Sequence, residues 1–217
     1  MTLEEMIVLY RVQAADKAEP YLCDDEVLTI YANEAQDEAC RRGDLLRDSA
    51  SAFCQPAIAA GDEAITLDAR IVRVLRAKIN GRDVAVISSE VMDAISPNWQ
   101  DGGATGTPTH LIMGASTGKL HLWPTPDAPC VARLTVSRLP LKQLASDADK
   151  PEVRPDTHKA LVDWMLYRAF SQHDGDLYDE GKARAALSRF EAEFGERASA
   201  RNEAWQRNGI PMSYPIA

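Results

Sequence analysis

The four cysteines of this 217-residue chain, Cys23, Cys40, Cys54 and Cys130, include no C-x-x-C pair, and none has a histidine at ligand spacing. Zinc sites are built from short paired spacings, so the four read as reduced thiols of a cytoplasmic protein. No apolar run approaches the ~20 residues needed to cross a bilayer. A soluble chain with no membrane partner is therefore expected. The opening MTLEEMIVLYRVQAAD has two acids before a short apolar run and no small-residue cleavage site, so it does not read as a signal peptide. Basic charge is scarce too: 24 Lys and Arg face 33 Asp and Glu, a formal net charge of -9. Affinity for a phosphate backbone comes from clustered Lys and Arg, so this balance argues against a grip on nucleic acid and leaves two readings, a surface that repels DNA or acidity that simply aids solubility.

Recognisable catalytic patterns are missing as well. GASTGK, residues 114–119, has three residues between its glycines and Leu120 after the lysine. A phosphate loop needs four between and a Ser or Thr after, so this stretch reads as a hairpin turn. Ser88, Ser89 and Glu90 lack the glycines of a nucleophile elbow. His110, His121, His158 and His173 have no accompanying carboxylate or thiol motif and read as surface or edge histidines. Asp174, Asp176, Asp179 and Glu180 crowd one turn, but their spacing departs from a Ca²⁺ loop and suits the start of a helix. No catalytic, cofactor or metal residue is assigned. The competing reading is an acidic soluble enzyme, or enzyme subunit, whose site is assembled from scattered residues.

What is present is a sheet between two sets of helices. In residues 67–89 the β-branched runs Ile71, Val72, Val74 and Val84, Val86, Ile87 flank Asn80-Gly81, the strongest short-range hairpin signal a sequence offers. Residues 109–113, 119–123 and 130–137 add strands between Gly and Pro punctuation, and an early strand is expected over 64–67. Ahead of the sheet, Thr2 with Glu5 forms a capping-box pattern, and Asp24, Asp25 and Glu26 open a second helix to about Arg42. Residues 88–95 read as one or two helical turns closed by Ser96-Pro97, 100–108 as a polar loop, and 144–155 as a charged linker. After the sheet, Leu161, Trp164, Met165, Arg168 and Ala169 mark one helix. Ala183, Leu187, Phe190, Phe194 and Ala198 mark a longer one over 178–205, with Gly195 weakening it slightly. A short connection makes these two an antiparallel hairpin. Past Arg207 two prolines exclude helix, yet Ile210, Met212, Tyr214 and Ile216 alternate, which reads either as an extended peptide that docks on a partner or as a disordered end with no role.

This order of parts resembles the head-to-tail adaptor, or connector, proteins of tailed bacteriophages. The likeness rests on Tyr31-Ala32-Asn33-Glu34-Ala35, on Leu67-Asp68 running into an Ile/Val-rich hairpin, and on Met92-Asp93-Ala94-Ile95-Ser96-Pro97-Asn98-Trp99. The strand at residues 119–126 and the helix at 160–169 extend it. The resemblance implies an α+β fold in which N-terminal helices (1–50) and a C-terminal helical hairpin (149–206) form a bundle. An antiparallel β-sheet domain (51–148) is inserted in it, and an extended tail (207–217) follows. It also implies a virion protein of the neck, made in the host cytoplasm: a dodecameric ring between the portal protein and a downstream tail or neck protein, with a channel for DNA and no cofactor. Portal docking is carried over to Ile210, Pro211, Met212, Tyr214, Pro215 and Ile216.

Overall fold

In the computed structural model residues 1–101, 103–173 and 177–198 are described. The chain divides into two compact units, Met1–Leu46 with Leu139–Arg197, and Arg47–Arg138. Among the described residues the fold is α+β, with five α-helices and a curled mixed sheet.

In the first unit, helix α1 (Leu3–Ala14) starts at the capping box: the Thr2 hydroxyl accepts from Glu5 N-H while the Glu5 carboxylate accepts from Thr2 N-H. Helix α2 (Asp25–Gly43) has acids in its first turn and Arg41 and Arg42 in its last, matching the helix dipole at both ends. Helix α4 (His158–Phe170) buries Leu161, Val162, Trp164, Met165, Leu166, Ala169 and Phe170, more than one face of a helix, because α1, α2 and α5 (Glu180–Phe194) all pack on it. Phe190 of α5 is fully buried, with its ring 5.0 Å from Trp164 and 4.7 Å from Phe194. The stretch expected as a charged linker is built into this core. Leu144 and Val153 are buried, and the carbonyls of Asp149 and Asp147 accept the first N-H groups of α1, from Leu3 at 2.8 Å and Glu4 at 3.2 Å. They satisfy two donors that a helix start otherwise leaves open.

Helix α5 ends at Phe194, short of the expected 205. Gly195 adopts φ +89 and donates its N-H to Glu191 O, so it is the stop signal and not a weak point inside a longer helix. Residues 199–205 lie outside the described residues.

The second unit carries strands β1 (Leu46–Asp48), β2 (Ala57–Ile58), β3 (Ala64–Thr66), β4 (Ile71–Ile79), β5 (Arg82–Ser88), β6 (His110–Met113), β7 (Lys119–Trp123) and β8 (Cys130–Arg138). Their order is β1-β8-β4-β5-β6-β7-β3, with β2 also on β8. The β4–β5 turn is Asn80-Gly81 with φ +49 and +81, the left-handed pair that a two-residue hairpin needs. The all-antiparallel expectation is corrected at one place, since β5 and β6 pair parallel, Ala85 opposite His110 through Ser88 opposite Met113. Parallel neighbours need a crossover, and helix α3 (Ser89–Ile95) with the loop after it supplies one.

Candidate assembly surfaces

The α1–α2 connection is held by a charge network centred on buried Arg11 and Asp16. Arg11 donates to the Asp16 carboxylate at 3.0 Å and to Cys23 O at 3.1 Å, and it also bonds Asp25. Asp16 in turn accepts from Leu22 N-H at 2.9 Å and Cys23 N-H at 3.2 Å, and Arg11 lies 3.5 Å over the Tyr21 ring. These bonds tie the loop down, and Leu22 and Asp24 in it and Asp25, Glu26 and Ile30 in the first turns of α2 are exposed. On the same unit, a groove of about 660 Å³ is lined by Leu9, Gln13, Lys159, Asp163, Arg189 and Glu193, and Arg189 is braced by Asp163 at 2.7 Å.

In the sheet unit, Asp48 organises the entry of the chain. It accepts from Ala50 N-H, Ser51 N-H and the Ser51 hydroxyl, and takes Arg138 Nε at 2.8 Å. Burial pushes this carboxyl up, but the Ser51, Ala50 and Arg138 bonds outweigh it and hold Asp48 well below the usual carboxylate range. A carboxylate depressed in the folded state contributes stability that is complete above about pH 4, its unfolded value, and is lost as the pH falls toward the folded value. Asp48→Asn should therefore be less stable than the parent at neutral pH, with the gap closing in acid. Urea unfolding across that range checks it, and parallel curves for the two proteins would contradict it.

A second groove, of about 310 Å³, lies where the start of β4 meets the turn after β6, lined by Leu67, Val72, Met113, Thr117 and Lys119. The β4–β8 ladder is irregular between Ile71 and Arg73 and between Val74 and Arg76, and such bulges re-aim the side chains of a strand. Residues 114–118 form the β6–β7 turn, with Gly114 and Gly118 at φ +90 and +70.

A sequence profile of SU10 adaptor proteins matches residues 1–212. The chain belongs to the SU10 adaptor protein family. This is a family of phage head–tail adaptors, so the chain is a structural component of a phage virion that interacts with head–tail components. No curated protein matches it. No helix among the described residues is long and apolar enough to cross a membrane.

Within this SU10 adaptor, the stretches that resemble the connectors hold the structure at defined joints. Asn33 accepts Leu144 N-H at 2.7 Å and donates to Leu144 O at 2.9 Å, Glu34 pairs with Arg168 of α4, and Ala32 and Ala35 are fully buried. Trp99 donates to Asp93 at 2.8 Å and packs with Ile87, Met92 and Ile112. Sequence reading saw the pattern here but not the partners: the Asn33 and Glu34 contacts cross more than a hundred residues, while those of Trp99 are local.

The histidines sort differently. His110 meets Trp123 edge-on at 5.5 Å, and His121 meets Trp99 at 5.9 Å and Ser116 at 3.1 Å. Their strands are adjacent, but the register sets His110 opposite Trp123 and Ile112 opposite His121. His158, expected at the surface, is buried, its Nε2 2.9 Å from Val153 O. Asp179 caps α5 through Lys182 N-H at 2.9 Å, while Asp174 and Asp176 lie outside the described residues. All four cysteines are buried thiols, and burial pushes Cys54 up to about 11. Ile210, Pro211, Met212, Tyr214, Pro215 and Ile216 also lie outside the described residues.

Proposed function

We propose that this adaptor assembles as a dodecameric ring beneath the portal protein, joins it to a downstream tail or neck protein, and encloses a channel for DNA. In this reading, residues 1–50 and 149–206 act as one helical bundle, 51–148 as the inserted β-domain, and 207–217 as a tail that docks on the portal. The family match across residues 1–212 supports it most. Among the described residues the exposed large apolar side chains are few, with Val8 and Val12 one turn apart on α1 and Ile95 and Leu141 elsewhere, and they form no broad apolar face of the kind that drives obligate assembly. The isolated protein at low concentration and physiological salt is thus expected to be largely monomeric, with the ring forming on the portal. Sedimentation of the purified protein, alone and with portal, tests the reading. A large stable ring without portal would contradict the assembly order, and no co-sedimentation would contradict the adaptor role.

A channel formed by subunits of net charge -9 repels the phosphate backbone on average. Free duplex DNA should therefore bind weakly or not at all at physiological salt, as read by mobility shift. Submicromolar binding would count against a passive channel.

A further inference from the structure

The acidity of this chain is not spread evenly. Residues 47–138 hold nine Lys and Arg and nine Asp and Glu, so the whole of the net charge lies outside the sheet unit, and residues 1–46 alone hold four bases and eleven acids. Within the neutral sheet unit the outer face of β4 and β8 is locally basic. The register sets Lys78 directly opposite Arg133, and Arg76 shares their face. Like charges set opposite on paired strands weaken the ladder. Asp83 of β5 offsets part of this by taking Arg76 at 2.8 Å and Lys78 at 3.8 Å. Arg133 is exposed and, among the described residues, has no ion-pair partner. Two large apolar side chains interrupt the basic face, Leu75 at 38% exposure and Val131 at 45%. A phosphate backbone has no use for them, whereas a protein surface does.

We propose that this face docks the acidic helical unit of a second copy of the chain. The matching surface is the fixed α1–α2 connection with the first turns of α2. Asp24 and Glu26, on either side of Asp25 with its Arg11 partner, stand between Leu22 and Ile30, whose exposures are 54% and 57%, so anions flanked by apolar groups meet cations flanked by apolar groups. The contact joins two different patches of one chain. It is heterologous, and heterologous contacts close into rings when the rotation between subunits allows. It rests on the ring reading above and names the surfaces that would build the ring. Two small apolar patches and a few charges make it weak, which fits a subunit that stays single until a portal gathers it.

The test uses charge reversal in the full chain. Arg133→Glu puts a carboxylate opposite Lys78, so it relieves the like-charge pair and the fold should melt no lower than the parent. Glu26→Arg reverses the other side of the contact. In sedimentation equilibrium at low salt and high protein concentration, the parent is expected to gain mass with concentration and to lose that gain in salt. Each variant should weaken the association about tenfold or more, and an equimolar mixture of the two should recover a heterodimer. A parent that stays monomeric throughout, a variant that associates like the parent, or a mixture with no recovery would overturn the contact. If Arg133→Glu changes only duplex DNA binding, the face belongs to nucleic acid and the proposal falls. Portal co-sedimentation of the parent reports separately on the adaptor role. Its failure would sink that role while the mixing result stands, and normal portal binding without recovery on mixing would sink only the contact.

Discussion

Arg11→Ala will destabilise the helical unit by about 3–5 kcal/mol, the cost of removing one partner from a buried ion pair. The substitution strips Asp16 of its guanidinium while the carboxylate stays buried, and it also removes the donors to Cys23 O and Asp25 and the cation over Tyr21. The two remaining bonds, from Leu22 and Cys23 N-H, do not neutralise its charge. Against a total stability of about 5–15 kcal/mol for an ordinary domain, this is a large share. Arg11→Lys keeps the charge but loses the fork that reaches three acceptors at once, and should fall between. The control is Arg184→Ala, which breaks an exposed pair with Glu180 and should change stability by less than about 1 kcal/mol. Denaturant unfolding followed by circular dichroism reads all three. A loss under about 1 kcal/mol for Arg11→Ala would show that the network relaxes and does not hold the α1–α2 connection.

Deletion of residues 210–217 should abolish decoration of portals while leaving the circular dichroism spectrum unchanged. By sequence alone, Pro211 and Pro215 disfavour helix here, so the segment is expected to give little to the helical core. Ile210, Met212, Tyr214 and Ile216 alternate in the sequence, the pattern an extended docking peptide would need, and burying each aliphatic anchor would be worth roughly 1.5–3 kcal/mol. Repetition around a ring multiplies the effect, because each docked tail raises the effective concentration of its neighbours. Co-sedimentation of the truncated protein with portal at the level of full-length protein would rule the tail out as the docking element. The groove beside α5, lined by Arg189 and Glu193, would be the next surface to alter.

The elements that were legible in the sequence are those specified by their own residues. Asn80-Gly81 forms its turn because both positions accept positive φ, and Thr2 with Glu5 closes its capping box within one helical turn. The features that were not legible depend on distant partners. Strands β1 and β2, three and two residues long, have no alternation to read and exist because β8 offers an edge on which to pair. The parallel match of β6 to β5 follows from how α3 returns the chain, which periodicity does not orient. Gly195 was visible, but its φ decides whether a helix bends or ends, and that was not. At the surfaces, single charges were readable and their juxtaposition was not. Lys78 faces Arg133 across 55 residues of sequence through a ladder interrupted by two bulges, and Arg11 meets Asp25 around a turn no motif describes.

In the proposed arrangement this SU10 adaptor closes the gap between portal and tail as a ring. Electron cryo-microscopy of purified portal incubated with the full-length protein tests it most directly. A closed, coaxial ring of twelve copies on one face of the portal is expected, its central channel continuous with the portal's. Portals that remain bare, or that carry the protein as isolated copies with no closed ring, would contradict it.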